Sequence, residues 1–335
     1  MAPRFGQKIK LLALKDILEQ LTDEEHPLNA EELCAQLAAR GITAERKAIY
    51  DDLEQLRDYG LDIIKTRSPK AGVFLGERQF ELPEIYLLAD AVRSAPFITP
   101  RKTRQLVQKL DGMLSVYQAE KREKNVFFDS AAKCDNEAVF RMIDTISQAI
   151  EEHKKIRFLY RVRQLADDRQ TVPQEKERTV SPYAMLWQDD RYYLIANYEK
   201  YDDLMHLRLD RMHKVELTSE AARPFCEVSP YREQFDTADY AKKLFGMHGG
   251  TPAAVTLRCE RRLLEQVLDR FGENLAVFHV TETHFECTVQ VAVSEGLVRW
   301  LLGYGAAVTV LSPVTLRRDV AAKAREILVA YDGAR

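Results

Sequence analysis

The chain has 335 residues, of which 46% are hydrophobic and 30% are charged, and its net charge at pH 7 is −3. At about 150 residues per domain, this length predicts two or three domains. The composition excludes a collagen-like, disordered or disulfide-scaffold protein. Because no overall positive charge favours nucleic acid or membranes, any such site has to come from a local cluster.

The five cysteines are odd in number and none of them forms a C-x-x-C pair. This spacing argues against a disulfide framework and a structural zinc site, so we expect reduced thiols, no metal and no cofactor in a cytoplasmic protein. The N-terminal residues lack the apolar core of a signal peptide. The longest apolar stretches, such as residues 301–311, fall short of the roughly 20 residues that cross a bilayer, so no membrane association is expected.

The first 60 residues predict three helices. Apolar side chains recur at helical spacing over residues 8–21. Asn29 and Glu32 have the spacing of a capping box at the start of a second helix, and Gly41 is suited to end it. Thr43 is predicted to cap a third helix, which ends near Gly60.

Two β-prone segments, 61–64 and 72–75, follow the third helix, and a basic turn with a proline joins them. Three helices and a hairpin, with a short connection between the second and third helices, predict a winged helix-turn-helix over residues 1–78. This motif places its recognition helix, here residues 44–58, in the major groove of DNA.

Basic residues cluster at the three places where a winged helix meets DNA: the start of the first helix, the start of the third helix and the wing. The first cluster comprises Arg4, Lys8, Lys10 and Lys15. The predicted DNA-contacting residues are Thr43, Arg46, Lys47, Tyr50, Lys65, Arg67 and Lys70. Arg46 and Lys47 can also reach base edges, and Tyr50 a phosphate or a thymine methyl group. Ordinary solvated side chains are the alternative, and Asp51 and Asp52 are expected to cap, pair or face away.

The next part of the chain predicts a helical linker over residues 79–135. Helical stripes run through 82–92 and 100–114, and a charged, flexible connection is expected at 118–125. These helices suit a dimer contact, although packing within one chain explains the stripes equally well.

After a helix predicted over 136–153, the apolar period changes to two. The predicted strands are 156–160, 178–183, 184–187, 191–197, 205–209 and 214–217. So many short strands imply a small, strongly curved sheet or barrel, within a domain over 136–248. Basic and aromatic residues alternate along these strands.

Two motifs in this region resemble those of a known family. Arg191-Tyr-Tyr-Leu-Ile-Ala196 resembles a Trp-Tyr-Leu strand, with Tyr192 in the tryptophan position, and His206-Leu-Arg-Leu-Asp-Arg-Met212 is similar to the family's second motif. Behind a winged helix, these motifs make nearly the whole chain similar to the WYL-domain transcriptional regulators. Residues 42–53 resemble the recognition helix of their DeoR-like domains, and residues 245–247 and 303–318 resemble segments that follow the WYL sheet.

The resemblance implies an Sm-like β-barrel that senses a ligand, often nucleic acid or a nucleotide-like anion. Its motifs give the pocket candidates Ser181, Tyr183, Tyr193, His206, Arg208 and Arg211. Chemistry agrees, because arginine binds phosphate oxygens bidentately and an aromatic ring stacks on a base, which adds Tyr160 as a platform. The alternatives are half-buried core tyrosines, and a salt bridge between these arginines and Asp210.

Residues 249–335 read as β-α-β-β-α with a further strand before the last helix, which predicts a ferredoxin-like α/β domain. Five arginines there can close over a ligand or a partner protomer, or face solvent: Arg258, Arg261, Arg262, Arg317 and Arg318. The predicted fold class is therefore multidomain α+β, with a winged helix, a helical linker, an Sm-like barrel and a ferredoxin-like domain.

No nucleophile elbow, Walker loop or dinucleotide-binding glycine motif is present. His153, His206 and the pair Asp167-Asp168 are more simply a pocket histidine and surface groups, so we expect no enzyme. The sequence predicts a homodimeric regulator that binds double-stranded operator DNA and senses a single-stranded nucleic acid or nucleotide. The alternative is a protein-interaction scaffold whose winged helix does not bind DNA.

Overall fold

The computed structural model describes residues 7–123, 133–134, 136–166, 171–229 and 237–332. The chain divides into two units, Met1–Glu137 and Ala138–Arg335, and together they give a mixed α+β structure. Among the described residues, no helix is long and apolar enough to span a membrane. The predicted boundaries between four domains are not tested by this two-way division and stay a prediction.

The first unit begins with three helices and a hairpin. The helices are α1 (Gln7–Leu21), α2 (Ala30–Ala39) and α3 (Arg46–Asp58). Strands β1 (Ile63–Thr66) and β2 (Gly72–Leu75) follow and pair antiparallel, with Ile63 opposite Leu75. The apolar stripes that the helical spacing predicted meet in one core, in which Leu14, Ile17, Leu18, Leu33, Leu37, Ile49 and Leu53 are buried.

Local sequence explains where these helices begin and end. The predicted capping box is confirmed, because the Asn29 side chain accepts from the amides of Glu31 and Glu32 while Glu32 accepts from the Asn29 amide. Gly41 has a φ of 79°, which glycine adopts without strain. The prediction that Thr43 caps α3 is wrong: α3 starts at Arg46, and Glu45 stands at the cap position without a capping side-chain bond.

Three further helices complete the first unit: α4 (Leu82–Ser94), α5 (Pro100–Asp111) and α6 (Val116–Glu123). Thr99 caps α5. The prediction of a flexible connection at 118–125 is wrong for residues 118–123, which belong to α6. Residues 124 and 125 lie outside the described residues. Ser115 and Gln118 form a reciprocal capping box, with the Ser115 hydroxyl accepting from the Gln118 amide at 3.1 Å and the Gln118 side chain accepting from the Ser115 amide.

The second unit opens with α7 (Val139–Glu151) against a five-stranded antiparallel sheet. Its strands are β3 (Lys154–Leu165), β4 (Thr171–Gln188), β5 (Arg191–Asn197), β6 (Leu204–Arg208) and β7 (Met212–Ala221), in the order β6-β5-β4-β3-β7. Residues predicted as two strands, 178–183 and 184–187, belong to the single strand β4, which is irregular between Pro182 and Ala184. A 3-10 turn over Leu209–Arg211 connects the two edge strands β6 and β7. Helices α8 (Phe225–Val228) and α9 (Thr237–Lys243) follow.

The remainder of the second unit is a four-stranded antiparallel sheet with helices. The elements are β8 (Thr251–Glu260), α10 (Leu264–Phe271), β9 (Val277–Phe278), β10 (His284–Val293), α11 (Glu295–Gly303), β11 (Val308–Ser312) and α12 (Val314–Asp332), and the strand order is β11-β8-β10-β9. Ser294 caps α11, as its sequence position predicts. The core of this sheet contains Val255, Leu257, Val289, Leu297, Leu301 and Leu316, all buried.

Candidate nucleic-acid and effector sites

All seven residues predicted to contact DNA are on the surface of the first unit. They are Thr43, Arg46, Lys47, Tyr50, Lys65, Arg67 and Lys70, and each is exposed. Four of them lie at or just before the start of α3, and the other three lie on the β1–β2 hairpin. The helix presents these side chains because Ile49, Leu53 and Leu56 take its opposite side into the core.

Two adjacent glutamates at the start of α2 bring the helix and the hairpin together. Arg46 pairs with Glu31 at 2.7 Å and Lys70 pairs with Glu32 at 2.6 Å. The start of α3 and the hairpin turn therefore flank the same point of α2. Lys65 lies 3.7 Å from Glu54 on α3, so a second contact connects the hairpin and the helix. Each of these three cations therefore has a carboxylate within 4 Å.

The hairpin is fixed by a backbone contact as well as by charge. Leu28 forms a β-bridge with Val73, through amide–carbonyl bonds of 2.8 and 2.9 Å. A Cβ atom on Gly72 would stand 2.8 Å from the Leu28 backbone, so only glycine permits this approach. The hairpin is thus held at a definite distance from the α1–α2 connection.

The cluster predicted at the start of the first helix does not face outward as a whole. Lys10 is 12% exposed and its ammonium pairs at 2.7 Å with Asp52, which is 1% exposed. The expectation that Lys10 reaches phosphate is therefore wrong, whereas the expectation that Asp52 pairs is confirmed. Lys15 pairs with Glu19, Lys8 is exposed, and Arg4 lies outside the described residues.

The effector candidates of the second unit occupy neighbouring strands. The register of β5 and β6 places Tyr193 opposite Arg208 and Ile195 opposite His206. Because partner residues of an antiparallel pair share a face, Tyr193, His206 and Arg208 all lie on one side of the sheet. Tyr193 packs against a small cluster of Leu244, Met247 and Ala292. The segment after α9 and strand β10 therefore contact this face of the sheet. Burial raises the pKa of Tyr193.

His206 is held by a tyrosine from α9. Its Nε2 lies 3.0 Å from the Tyr240 hydroxyl, and the two rings are stacked with centroids 5.8 Å apart. Burial lowers the pKa of His206 to about 4, and the nearby His248 acts in the same direction. The imidazole is therefore neutral at pH 7 and carries no positive charge.

The two arginines of the second motif have different surroundings. Arg208 forms a bidentate pair with Asp210, at 3.0 Å from Nε and 2.5 Å from Nη2, and this pair raises the pKa of Arg208. Arg191 lies 3.9 Å from the same carboxylate. The salt bridge considered as the alternative is thus present for Arg208. Arg211 is exposed on the 3-10 turn that follows.

Ser181 and Tyr183 are bound to the chain that leaves the sheet. The Ser181 hydroxyl accepts from the Arg223 amide at 2.9 Å, and the Tyr183 hydroxyl donates to the Arg223 carbonyl at 2.9 Å. Burial raises the pKa of Tyr183 to about 12. The structure does not bring this pair together with Arg208, and both hydroxyls hold the segment before α8 in place.

Tyr160 is 9% exposed, and its hydroxyl accepts from the Arg208 amide at 3.3 Å. The Arg178 guanidinium carbon stands 5.4 Å from the centroid of its ring. Sequence reasoning missed Arg178, although the period of two carried the signal: Arg178 is opposite Phe158, so it shares a face with Phe158 and Tyr160. Within the described residues, the buried Nε of Arg178 has no hydrogen-bond partner.

A metal site is not formed by the part of the chain that the structure describes, where no three His, Cys, Asp or Glu side chains are placed to hold an ion. The predicted surface pair Asp167-Asp168 lies outside the described residues.

Two family models match the second unit. Residues 141–217 match the WYL domain and residues 251–328 match the WCX domain. The protein therefore contains a WYL domain, which includes most of α7 and of the five-stranded sheet, followed by a WCX domain, the four-stranded sheet with its helices. The resemblance that the motifs indicated is confirmed, because both domains are consistent with the family of WYL-domain regulators.

Two solved structures are similar over most of the chain. One is proteasome accessory factor B/C (PafBC) of Arthrobacter aurescens, 21% identical, covering 99% of this chain and 50% of its own, with a TM-score of 0.27. The other is a CRISPR Cas-related protein, 11% identical, covering 97% of this chain and 85% of its own, with a TM-score of 0.37. This chain thus spans about half the length of PafBC. Both scores are low, so the two domain matches carry the assignment. No curated protein matches the chain.

Proposed function

We propose that the protein is a transcriptional regulator that binds duplex DNA through α3 and the β1–β2 hairpin. In this proposal residues 1–78 are a winged helix-turn-helix, 79–135 a helical linker, 136–248 an Sm-like WYL barrel and 249–335 a ferredoxin-like WCX domain. The observation that carries it is the convergence of Arg46 and Lys70 on Glu31 and Glu32, with Lys47 exposed beside them. A helix N-terminus and a hairpin turn with exposed cations on one side match the way a winged helix meets the DNA backbone.

The WYL sheet is proposed to sense a nucleotide or a short single-stranded nucleic acid. Tyr193, His206 and Arg208 share one face, and Arg211 adds an exposed arginine on the 3-10 turn that follows β6. A phosphate can exchange places with the Asp210 carboxylate on Arg208, since both accept the same bidentate fork. In this proposal the exchange moves Asp210 away from Arg208 and so couples effector binding to a change in the sheet.

Effector binding is proposed to alter operator affinity through the helical linker in a homodimer. Half-sites on DNA lie a fixed helical repeat apart, so a change in the spacing of two winged helices changes affinity. This step depends on the dimer and on the effector, each of which has its own test.

The test of DNA binding is a titration of labelled duplex from the protein's own upstream region at several salt concentrations. Replacing Arg46 and Lys47 together with alanine is expected to make the slope of log affinity against log salt less negative, by about 2. The matched control is Arg101→Ala with Arg104→Ala, which removes two exposed cations from α5 in the same unit. If both double variants bind like the parent, α3 is not the DNA-binding element and the scaffold alternative gains.

The test of effector sensing is calorimetry with mononucleotides and a 5′-phosphorylated single-stranded oligonucleotide. Arg208→Ala with Arg211→Ala is expected to abolish this binding and to leave duplex binding by α3 intact. Arg262→Ala, which removes an exposed arginine of the WCX domain, is the control. Unchanged binding in the double variant would place the effector elsewhere.

A further inference from the structure

The last helix of the chain has two halves with different surroundings. In α12, Leu316 is fully buried and Val320 packs against the WCX core. From residue 322 to residue 332 every side chain is exposed. Four large apolar residues are among them: Ile327 is 44% exposed, Leu328 60%, Val329 71% and Tyr331 78%. About three turns of helix therefore present apolar side chains to solvent.

These side chains are not scattered around the helix. Ala324, Ile327, Leu328 and Tyr331 follow the i, i+3, i+4, i+7 spacing of a single stripe. The stripe continues the one that Leu316 and Val320 begin in the core, at intervals of four residues. A short helix is marginal in water without tertiary contacts, so a stripe of this kind calls for a covering surface.

The charges beside the stripe indicate what covers it. The exposed half carries two cations, Lys323 and Arg325, and two anions, Glu326 and Asp332, so its net charge is zero. An anionic lipid surface or a nucleic acid would require a positive face. Lys323 already pairs with Glu326 at 2.6 Å. Arg325 and Asp332, seven residues apart, remain on the same flank of the stripe.

We propose that α12 pairs antiparallel with α12 of a second copy of this chain, about a two-fold axis at Ile327 and Leu328. In an antiparallel pair each flank faces the same flank of the partner with its direction reversed. Arg325 then meets Asp332 of the partner subunit, and the symmetry forms this ion pair twice. The small Ala324 gives room to Tyr331 of the partner subunit. A parallel pair would place like charges together.

The contact is small. It involves three turns of helix from each copy, so the area that it buries is well below the roughly 1,600 Å² of a standard interface. We therefore expect it to be weak on its own and to act with other contacts of the dimer. It does not depend on DNA binding by α3 or on effector binding by the WYL sheet.

Cross-linking at the two-fold axis tests the geometry. In a Cys226→Ser background, which removes an exposed native thiol, Leu328→Cys places two thiols at the crossing point. Val329→Cys is the matched control, because it is a neighbouring exposed residue on the opposite side of the helix. We expect mild oxidation to give a covalent dimer at least about tenfold faster with Leu328→Cys than with Val329→Cys, the background variant giving none. Equal rates, or no cross-link, would overturn the proposal.

Sedimentation of the full chain provides a second measurement. Leu328→Asp is expected to weaken self-association at least about tenfold, whereas Val329→Asp leaves it unchanged. Self-association that is the same in both variants contradicts the proposal. DNA binding by α3 is measured separately, with the Arg46 and Lys47 variants. Failure of the α12 contact is therefore distinguishable from failure of the proposed function.

Discussion

Lys10 and Asp52 form an ion pair of 2.7 Å between α1 and α3, and both side chains are largely removed from solvent. Two other pairs that involve α3, Arg46 with Glu31 and Lys65 with Glu54, are exposed on both sides. The buried pair therefore fixes the proposed recognition helix on its scaffold, while the exposed pairs can exchange partners. The two kinds of pair lead to opposite expectations for mutation.

Removing one member of the buried pair is expected to destabilise the first unit. Asp52→Ala leaves the Lys10 ammonium without its partner in a buried position, which costs about 3 kcal/mol. Glu19→Ala, which breaks the more accessible pair with Lys15 on the same helix, is expected to cost less than about 0.5 kcal/mol. Urea unfolding of both variants measures the difference. Equally small losses of unfolding free energy in the two variants would show that the Lys10 ammonium becomes hydrated when Asp52 is removed.

Neutralising a competing carboxylate is expected to strengthen DNA binding. Glu31→Gln releases Arg46 for phosphate, and because exposed pairs contribute up to about 1 kcal/mol, affinity should rise about two- to fivefold. Glu24→Gln changes the net charge equally at another exposed position of the same unit and serves as the control. The measurement is duplex titration at low salt. A similar rise in both variants would mean that only net charge matters.

The buried neutral His206 predicts a dependence of stability on pH. Its pKa falls from 6.5 to about 4 on folding. Between these two pH values, His206 is protonated in the unfolded chain and neutral in the folded chain. The contribution is complete above pH 6.5 and is lost as pH falls towards 4, by at most about 3 kcal/mol. His206→Gln should flatten this part of the profile, and His153→Asn, at an exposed histidine, should leave it unchanged. Unfolding measured at successive pH values decides; parallel profiles in parent and His206→Gln would refute the prediction.

Two glycines of α11 are expected to respond in opposite directions to the same substitution. A Cβ atom on Gly296 would overlap the carbonyl of Phe245, whereas a Cβ atom on Gly303 meets open space. Gly296→Ala should destabilise the second unit by about 3 kcal/mol. Gly303→Ala should stabilise it by about 0.5 kcal/mol, since alanine loses less conformational freedom in a helix. Thermal unfolding measures both; a neutral Gly296→Ala would show that residues 245–250 can move away.

Sequence patterns predicted most elements because their signals are local. The capping box at Asn29 and Glu32, the cap at Ser294 and the strand 284–293 are each determined by residues within one turn or one strand. Two predictions that also rested on local signals were wrong. Thr43 is a good cap residue, but α3 begins three residues later. The charge of residues 118–123 concealed the capping box that Ser115 and Gln118 form.

The sequence proposed site residues by their type, and the structure adds the environment of each. The motifs selected Arg208 and His206 as candidates. The pair of Arg208 with Asp210, two residues away, could be considered from the sequence, whereas the neutral state of His206 depends on burial and on contacts from a distant segment that includes Tyr240. Lys10 was interpreted as a surface cation because its partner, Asp52, lies 42 positions away. Arg178 was passed over because its partner ring, Tyr160, is on another strand.

The sequence by itself determined most helices, most strands, the caps at Asn29 and Ser294 and the two family motifs, since each of these depends on periodicity or on neighbouring residues. Only the tertiary structure decided which charges are available. Burial and the proximity of an opposite charge set the state of an ionisable side chain, and for Lys10, Asp52 and His206 the residues responsible come from distant parts of the chain. For the same reason, only the folded WCX domain distinguished the half of α12 that its own core covers from the half that it leaves exposed.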